Sequence, residues 1–206
     1  MHQVTITHAN ASENREAWLA IRQRHVTATD WPKITGTSRW GNAEDVINGK
    51  MGEGREGWSV PPLPIRVGNA LEPLIIEQTK IHLGRGDYLS QAFISRKHIG
   101  FTPDLVLIDK PSNWVLAEIK VSVVEWCGWV PPDYLDQVKF QATVLGVDEV
   151  LVVHLQLRSW KEGLWMIREG VVPTDRLVAY KVPVDESERL EIEQKAERWW
   201  KRFLGH

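Results

Sequence analysis

The chain has 206 residues, a formal net charge of −2, 11 Trp and a single Cys. This length suits one domain with a substantial core, and the absence of a net positive charge means that a polyanion would have to be met by a local patch or through a bound metal ion. Cys127 alone excludes an internal disulfide, a multi-cysteine zinc site and a cysteine-held iron–sulfur cluster, so a reducing cytoplasm is the expected setting.

The start, "MHQVTITHANASENREAW", lacks a basic segment followed by an apolar run, and no stretch is long enough to span a bilayer, so no membrane association is expected. "ENREAWLAIRQRH" carries apolar residues at 17, 18 and 21 between charges and predicts a short amphipathic helix. In "TATDWPKITG", Thr29 or Asp30 can cap a second helix, with Pro32 in its first turn and Gly36 at its end. Residues 49–64, rich in Gly and Pro, predict a mobile loop. "VGNALEPLIIEQTKIHLG" predicts a helix capped by Asn69, with Pro73 early and Gly84 behind it.

Strands follow at "SQAFISR", "FTPDLVLI" and "WVLAEIKVSVV", the last two joined by the turn-forming "DKPSN". "PPDYLDQVKFQATVLGV" predicts a helix with Asp133 at its cap and Gly146 at its end. A buried strand at "EVLVVHLQL", another around "DRLVAYKVPV" and a terminal helix, "ESERLEIEQKAERWWKRFL", complete the chain. The order predicts a mixed α/β sheet flanked by helices, in a single domain over residues 1–206 whose core is about 15–160, with 175–205 part of it. Trp199 and Trp200 suit packing of that last helix, and the Trp excess suits a dense core or subunit contact, with base-stacking platforms as the other use.

The strand at 114–124 interrupts its apolar run with Glu118 and Lys120, two residues apart and therefore on one face. An unpaired buried charge is costly, and a structural salt bridge is the plain explanation. The neighbouring strand adds to it. If "DKPSN" is the hairpin loop, Ile108 faces Trp114, Val106 faces Leu116, Asp104 faces Glu118 and Thr102 faces Lys120. Two carboxylates directly opposite one another repel, so a purely structural sheet would avoid the pairing, whereas a divalent cation reverses its sign. Mg²⁺ prefers hard oxygen ligands, usually takes one or two carboxylates from protein, and fills its remaining positions with water and phosphate oxygens. Such an ion polarises a scissile phosphate, and a lysine beside it can hold the attacking water or stabilise growing negative charge.

The D…E-x-K arrangement of Asp104, Glu118 and Lys120 resembles the core of the PD-(D/E)xK nuclease superfamily. "RVGNALEP" resembles the Gly-x-x-x-Glu-Pro segment of the YqaJ-type viral recombinase nucleases related to lambda exonuclease, "WLAIRQRHVTATD" their Trp-x-x-x-Arg segment with Thr-Ala-Ser/Thr, and "DYLDQVKFQATVLG" their Tyr-x-x-Gln-Val-Gln helix. These segments keep the family's order from about residue 18 to 146. Lys139 replaces the second Gln of that helix, and Leu105 stands where many relatives have Gly.

The resemblance implies a restriction-endonuclease-like fold and a Mg²⁺-dependent 5′-to-3′ exonuclease on linear double-stranded DNA in phage or prophage recombination. It implies two Mg²⁺ ions, replaceable by Mn²⁺, a ring-shaped homotrimer on DNA ends, and a single-strand annealing recombinase as partner. On this mapping Asp104, Glu118 and the carbonyl of Ile119 hold metal, and Glu72 holds a second ion or its waters. Lys120 activates water, Gln137 orients it, and Arg22 with Thr29 seats the 5′-phosphate. Arg24, Lys33, Lys139 and Gln141 are further candidates for DNA contact. Plainer readings exist: Glu72 suits a helix N-terminus, Gln137 and Gln141 a solvated helix face, and Arg22, Arg24 and His25 an exposed helix end. A structure-specific or restriction-type endonuclease on the same core, or a non-catalytic DNA-binding or assembly module, are the alternatives.

Overall fold

The computed structural model of the chain describes residues 4–7, 14–52, 60–110 and 113–204. In chain order the elements begin with β1 (Thr5–Thr7), α1 (Arg15–Gln23), β2 (Val26–Thr27), α2 (Trp31–Thr35), α3 (Ala43–Lys50) and α4 (Leu63–Leu83). Five strands and a helix follow: β3 (Asp87–Leu89), β4 (Phe93–Arg96), β5 (Ile99–Phe101), β6 (Leu105–Lys110), β7 (Asn113–Ser122) and α5 (Pro132–Leu145). The chain continues through β8 (Glu149–Gln156), α6 (Trp160–Glu169), β9 (Leu177–Pro183) and α7 (Glu186–Phe203).

These strands form two mixed sheets where the sequence predicts one: β3-β6-β7-β8-β9 and β1-β4-β5-β2. The division falls inside "FTPDLVLI", which the pattern reads as one strand. Phe101 ends β5 in the small sheet and Leu105 begins β6 in the large one. Between them Pro103 lacks the N–H that a continuing ladder would use, and its carbonyl instead accepts the Gln91 N–H at 3.2 Å. Asp104 therefore lies where the chain crosses between sheets.

Within the β6–β7 hairpin the predicted register holds, with Leu105 opposite Ala117, Val106 opposite Leu116 and Ile108 opposite Trp114. It shifts between Ile108 and Lys110, where β6 carries one extra residue. β7 then pairs parallel to β8, setting Lys120 beside His154. Alternation sends Leu116 into a core shared with Val138, Val150, Val152 and Trp126, and sends Ala117 and Ile119 into a second core beneath α4 with Leu71 and Ile75. Leu71 and Ile75 have no exposed surface, and burial of side chains of that size contributes about 1.5–3 kcal/mol each. α5 packs against both sheets and against α7, and α7 presents Trp199 to the core.

Several helix boundaries differ from those predicted. α4 starts at Leu63, six residues before Asn69, because Pro62 and Pro64 fit a first turn whose N–H groups have no intrahelical acceptor. Pro73 is consequently interior, where it removes one ladder hydrogen bond. α5 starts at Pro132 in the same way, with Pro131 before it, and Asp133 lies inside its first turn, bound to Arg39 through two bonds of 3.1 Å rather than capping. α3 was unpredicted; Asn42 begins it by accepting the N–H groups of Glu44 and Asp45, while Asp45 accepts that of Asn42. Gly49 and Lys50 of the expected loop belong to α3, Leu63 and Pro64 belong to α4, and residues 53–59 lie outside the described residues. α6 was also unpredicted, since Gly163 interrupts its pattern. A Cβ there would sit 2.5 Å from Val67 Cγ1, so the residue allows α6 to pack close to α4.

Candidate active site

Glu118 projects from the middle of β7 toward α5 and is 2% exposed. Both of its carboxylate oxygens accept hydrogen bonds. Oε1 accepts Nε2 of Gln137 at 2.6 Å and the ammonium of Lys120, and Oε2 accepts Nε2 of Gln141 at 2.7 Å. Gln137 and Gln141 are one helical turn apart, which lets both reach the same carboxylate from one face of α5. Lys139, 200° around the helix from Gln137 at 100° per residue, instead pairs with Glu188 of α7. Of the candidates for DNA contact, Gln141 is buried against Glu118 and Lys139 is turned to α7.

Asp104 approaches from the break before β6, and its Oδ2 accepts the main-chain N–H of Ile119 at 2.7 Å. This side chain takes a ladder position that β6, starting at Leu105, leaves open. The N–H and C=O of a strand residue leave on the same side, so the Ile119 carbonyl is directed to that flank as well. Glu72, half-buried on α4, completes an acid-rich cluster.

The electrostatics follow from three carboxylates around one ammonium. Burial, then repulsion from Glu118, pushes the Asp104 carboxyl well above the usual range, and the same two causes raise Glu72. Burial alone would lower the Lys120 ammonium, but Glu118 and Asp104 outweigh it and hold the lysine protonated. Among the described residues no group of three His, Cys, Asp or Glu side chains is placed to hold a metal ion. Mg²⁺ does not require one, because it commonly binds through one or two carboxylates and keeps several waters. Hard oxygen donors among buried carboxylates fit such an ion, which Asp104 and Glu118 could hold.

Beside Lys120, His154 is 1% exposed and stacks on Trp126 with ring centroids 3.8 Å apart. Ser122 Oγ donates to the Val124 carbonyl and so accepts from His154 Nε2, which fixes the ring proton on that atom. Burial pushes the imidazole down to about 4. Tyr134 lies under the Lys120 ammonium, 5.0 Å from ring centroid to Nζ.

A second polar cluster is base-rich. Arg22 Nη2 donates to Thr29 Oγ1 at 2.9 Å, and its guanidinium lies over the Trp18 ring at 4.4 Å. Asp30 Oδ2 accepts from the Thr27 N–H and hydroxyl and pairs with Lys50 Nζ at 2.7 Å, while Lys50 also donates to the Arg22 carbonyl. Burial lowers both Arg22 and Lys50; for Asp30 burial acts to raise the carboxyl, but the Lys50 charge together with the hydrogen bonds from Lys50 and Thr27 holds it below its usual range. Asp30 makes no capping bond to α2, and its carboxylate already stands at that helix start, so the helix end adds little to anion binding. Lys33 is close enough to act on Lys50, whereas Arg24 is exposed at the end of α1. Trp18 Nε1 donates to Thr102 Oγ1 at 3.1 Å, joining this cluster to the segment that carries Asp104.

Lys50, Trp126 and His154 were not expected at either cluster. Lys50 closes a helix hidden in a Gly-rich stretch, and His154 reaches Lys120 only through the parallel β7–β8 pairing, so neither left a local signal.

The hairpin, its flanking helices and the crossing at Asp104 define a restriction-endonuclease-like α/β fold. That fold is shared with the alkaline exonuclease LHK-Exo from Laribacter hongkongensis, at a TM-score of 0.66 and 19% identity over 91% of this chain and 92% of that one. The phage-related exonuclease from Haemophilus somnus 129PT gives a TM-score of 0.63 at 10% identity, covering 90% and 96%. No family model and no curated protein matches the sequence.

Proposed function

We propose that this chain is a Mg²⁺-dependent 5′-to-3′ exonuclease that degrades linear double-stranded DNA during phage or prophage recombination. The observation that carries the proposal is Glu118, a buried carboxylate held by Lys120, Gln137 and Gln141 next to two further acids. The fold shared with two exonucleases supports it, and LHK-Exo has also been crystallised with dAMP.

In this reading Asp104 and Glu118 hold Mg²⁺, the Ile119 carbonyl adds a ligand, and Glu72 holds a second ion or its waters. The ion, which Mn²⁺ can replace, would polarise the scissile phosphate and acidify a bound water. Lys120, kept protonated by its carboxylate neighbours, stabilises charge on the phosphoryl oxygens, and Gln137 orients the water. Arg22 and Thr29 seat the terminal 5′-phosphate, since a guanidinium can donate two parallel hydrogen bonds to it. The partners in this reading are other copies of the chain, in a trimeric ring that keeps a chain of net charge −2 on its substrate, and a single-strand annealing recombinase. A stable monomer by light scattering at working concentration would remove the ring.

The test is a time course on linear duplexes labelled at one 5′ or one 3′ end, with closed circular DNA alongside. Stepwise loss of the 5′ label with circles left intact is expected. Cleavage of circles would move the assignment to an endonuclease, and no Mg²⁺-dependent cleavage of any DNA would leave a binding module.

A further inference from the structure

Of the three donors on Glu118, Gln141 is the one that the reaction does not require. Lys120 and Gln137 share Oε1, and both are assigned work on water and phosphate. When either turns to substrate, Oε1 loses a partner. Gln141 holds the other oxygen from a position 1% exposed, where no substrate reaches it. Its own Oε1 is buried without a hydrogen-bond partner. The amide cannot be turned over to relieve this, because that would set Oε1 against the Glu118 carboxylate. An apolar side chain of similar size would leave no such orphan in the core, so the position carries a polar group for the sake of what its N–H does to Glu118.

We propose that Gln141 is a positioning residue for metal capture: it fixes the plane of the Glu118 carboxylate through Oε2 and holds it while Lys120 and Gln137 exchange partners. The inference rests on the metal-dependent reading of the site. A group that orients a metal ligand typically changes metal affinity about ten- to a hundredfold when removed.

The experiment titrates Mn²⁺ into the full chain without DNA and follows loss of the free-ion signal by electron paramagnetic resonance. Gln141→Met keeps the side-chain length and removes the donor. Val144→Ala, a cavity on the same helix within the core, is the control for general loosening. The expected result is Mn²⁺ affinity reduced at least about tenfold in Gln141→Met and changed less than about twofold in Val144→Ala. If Gln141→Met does not fold, Gln141→Ala undergoes the same titration. Equal affinity in wild type and a folded Gln141 variant overturns the inference alone, as does an equal loss in the Val144→Ala control. A wild-type protein that takes up no Mn²⁺ overturns the metal-dependent reading, and the inference falls with it.

Discussion

The two polar clusters invert one another. Around Glu118 three carboxylates surround one lysine, and Asp104 and Glu72 titrate high while the base is held charged. Around Arg22 two cations enclose one carboxylate, and the acid titrates low while both bases are pushed down. A buried site with surplus negative charge favours a cation, and one with surplus positive charge favours an anion. The 18–102 hydrogen bond ties them together. In the proposed reading, metal chemistry and recognition of a chain end fall to separate sites joined by that bond.

The largest effect should come from the acid-rich side. Glu118→Ala and Lys120→Ala are each expected to slow cleavage by on the order of a hundred- to a thousandfold. Calorimetric metal titration should separate them: the Glu118 variant loses metal affinity and the Lys120 variant keeps it. Near wild-type rates in both variants would place the chemistry elsewhere.

Stability against pH should respond with opposite signs at the two clusters. A carboxyl raised in the fold binds more protons there than in the unfolded chain between its ordinary and its raised value, so stability falls as pH rises through that window. Asp104→Asn should therefore melt at a higher temperature than wild type at pH 8 without metal, with the gap closing toward pH 4. For Asp30, whose value is depressed, the stabilisation is present above the ordinary carboxylate value and is lost as pH falls through the depressed one. Asp30→Asn leaves Lys50 unpaired in a site where its side chain is 9% exposed, and should cost about 3 kcal/mol near neutral pH. Melting curves of both variants that shift in the same direction at pH 8 would break the contrast.

On the base-rich side, duplexes with a 5′-phosphate should be degraded faster than those with a 5′-hydroxyl. Arg22→Ala should reduce that ratio about tenfold with metal affinity unchanged, the loss of a charge-assisted hydrogen bond, and Arg22→Lys should restore part of it. An unchanged ratio would move phosphate binding toward Lys33 or Arg24. The smallest effect belongs to the link. Trp18→Phe removes one hydrogen bond, worth about 1 kcal/mol, and should lower the rate only a few-fold while sparing metal affinity; a loss as large as that of Glu118→Ala would mean that the clusters are not separate.

Much of the acid-rich cluster was legible because it rests on local geometry. Strand alternation put Glu118 and Lys120 on one face, and the index sum of the hairpin gave the register from Leu105 to Ile108. That sum carried Asp104 one residue too far as a strand partner, since Pro103 had already ended the ladder; the carboxylate meets the Ile119 N–H instead. Thr102, expected beside Lys120, is bonded to Trp18 for the same reason. The resemblance grouped Arg22 with Thr29, which the structure brings within hydrogen-bond distance, yet it was silent on Lys50 and Asp30. Long-range pairing, such as β7 on β8 or the Lys50 ammonium on the Arg22 carbonyl, leaves no periodic trace, and contacts that depend on it had no signal to find.

The claim that the acid-rich cluster is a metal-dependent catalytic centre is tested most directly by stripping the protein with chelator and following a linear duplex before and after Mg²⁺ is restored. Intact DNA is expected in chelator, degradation that begins on Mg²⁺ addition, and none with Glu118→Ala under either condition. Degradation at the same rate in chelator, or by Glu118→Ala after Mg²⁺, would contradict it.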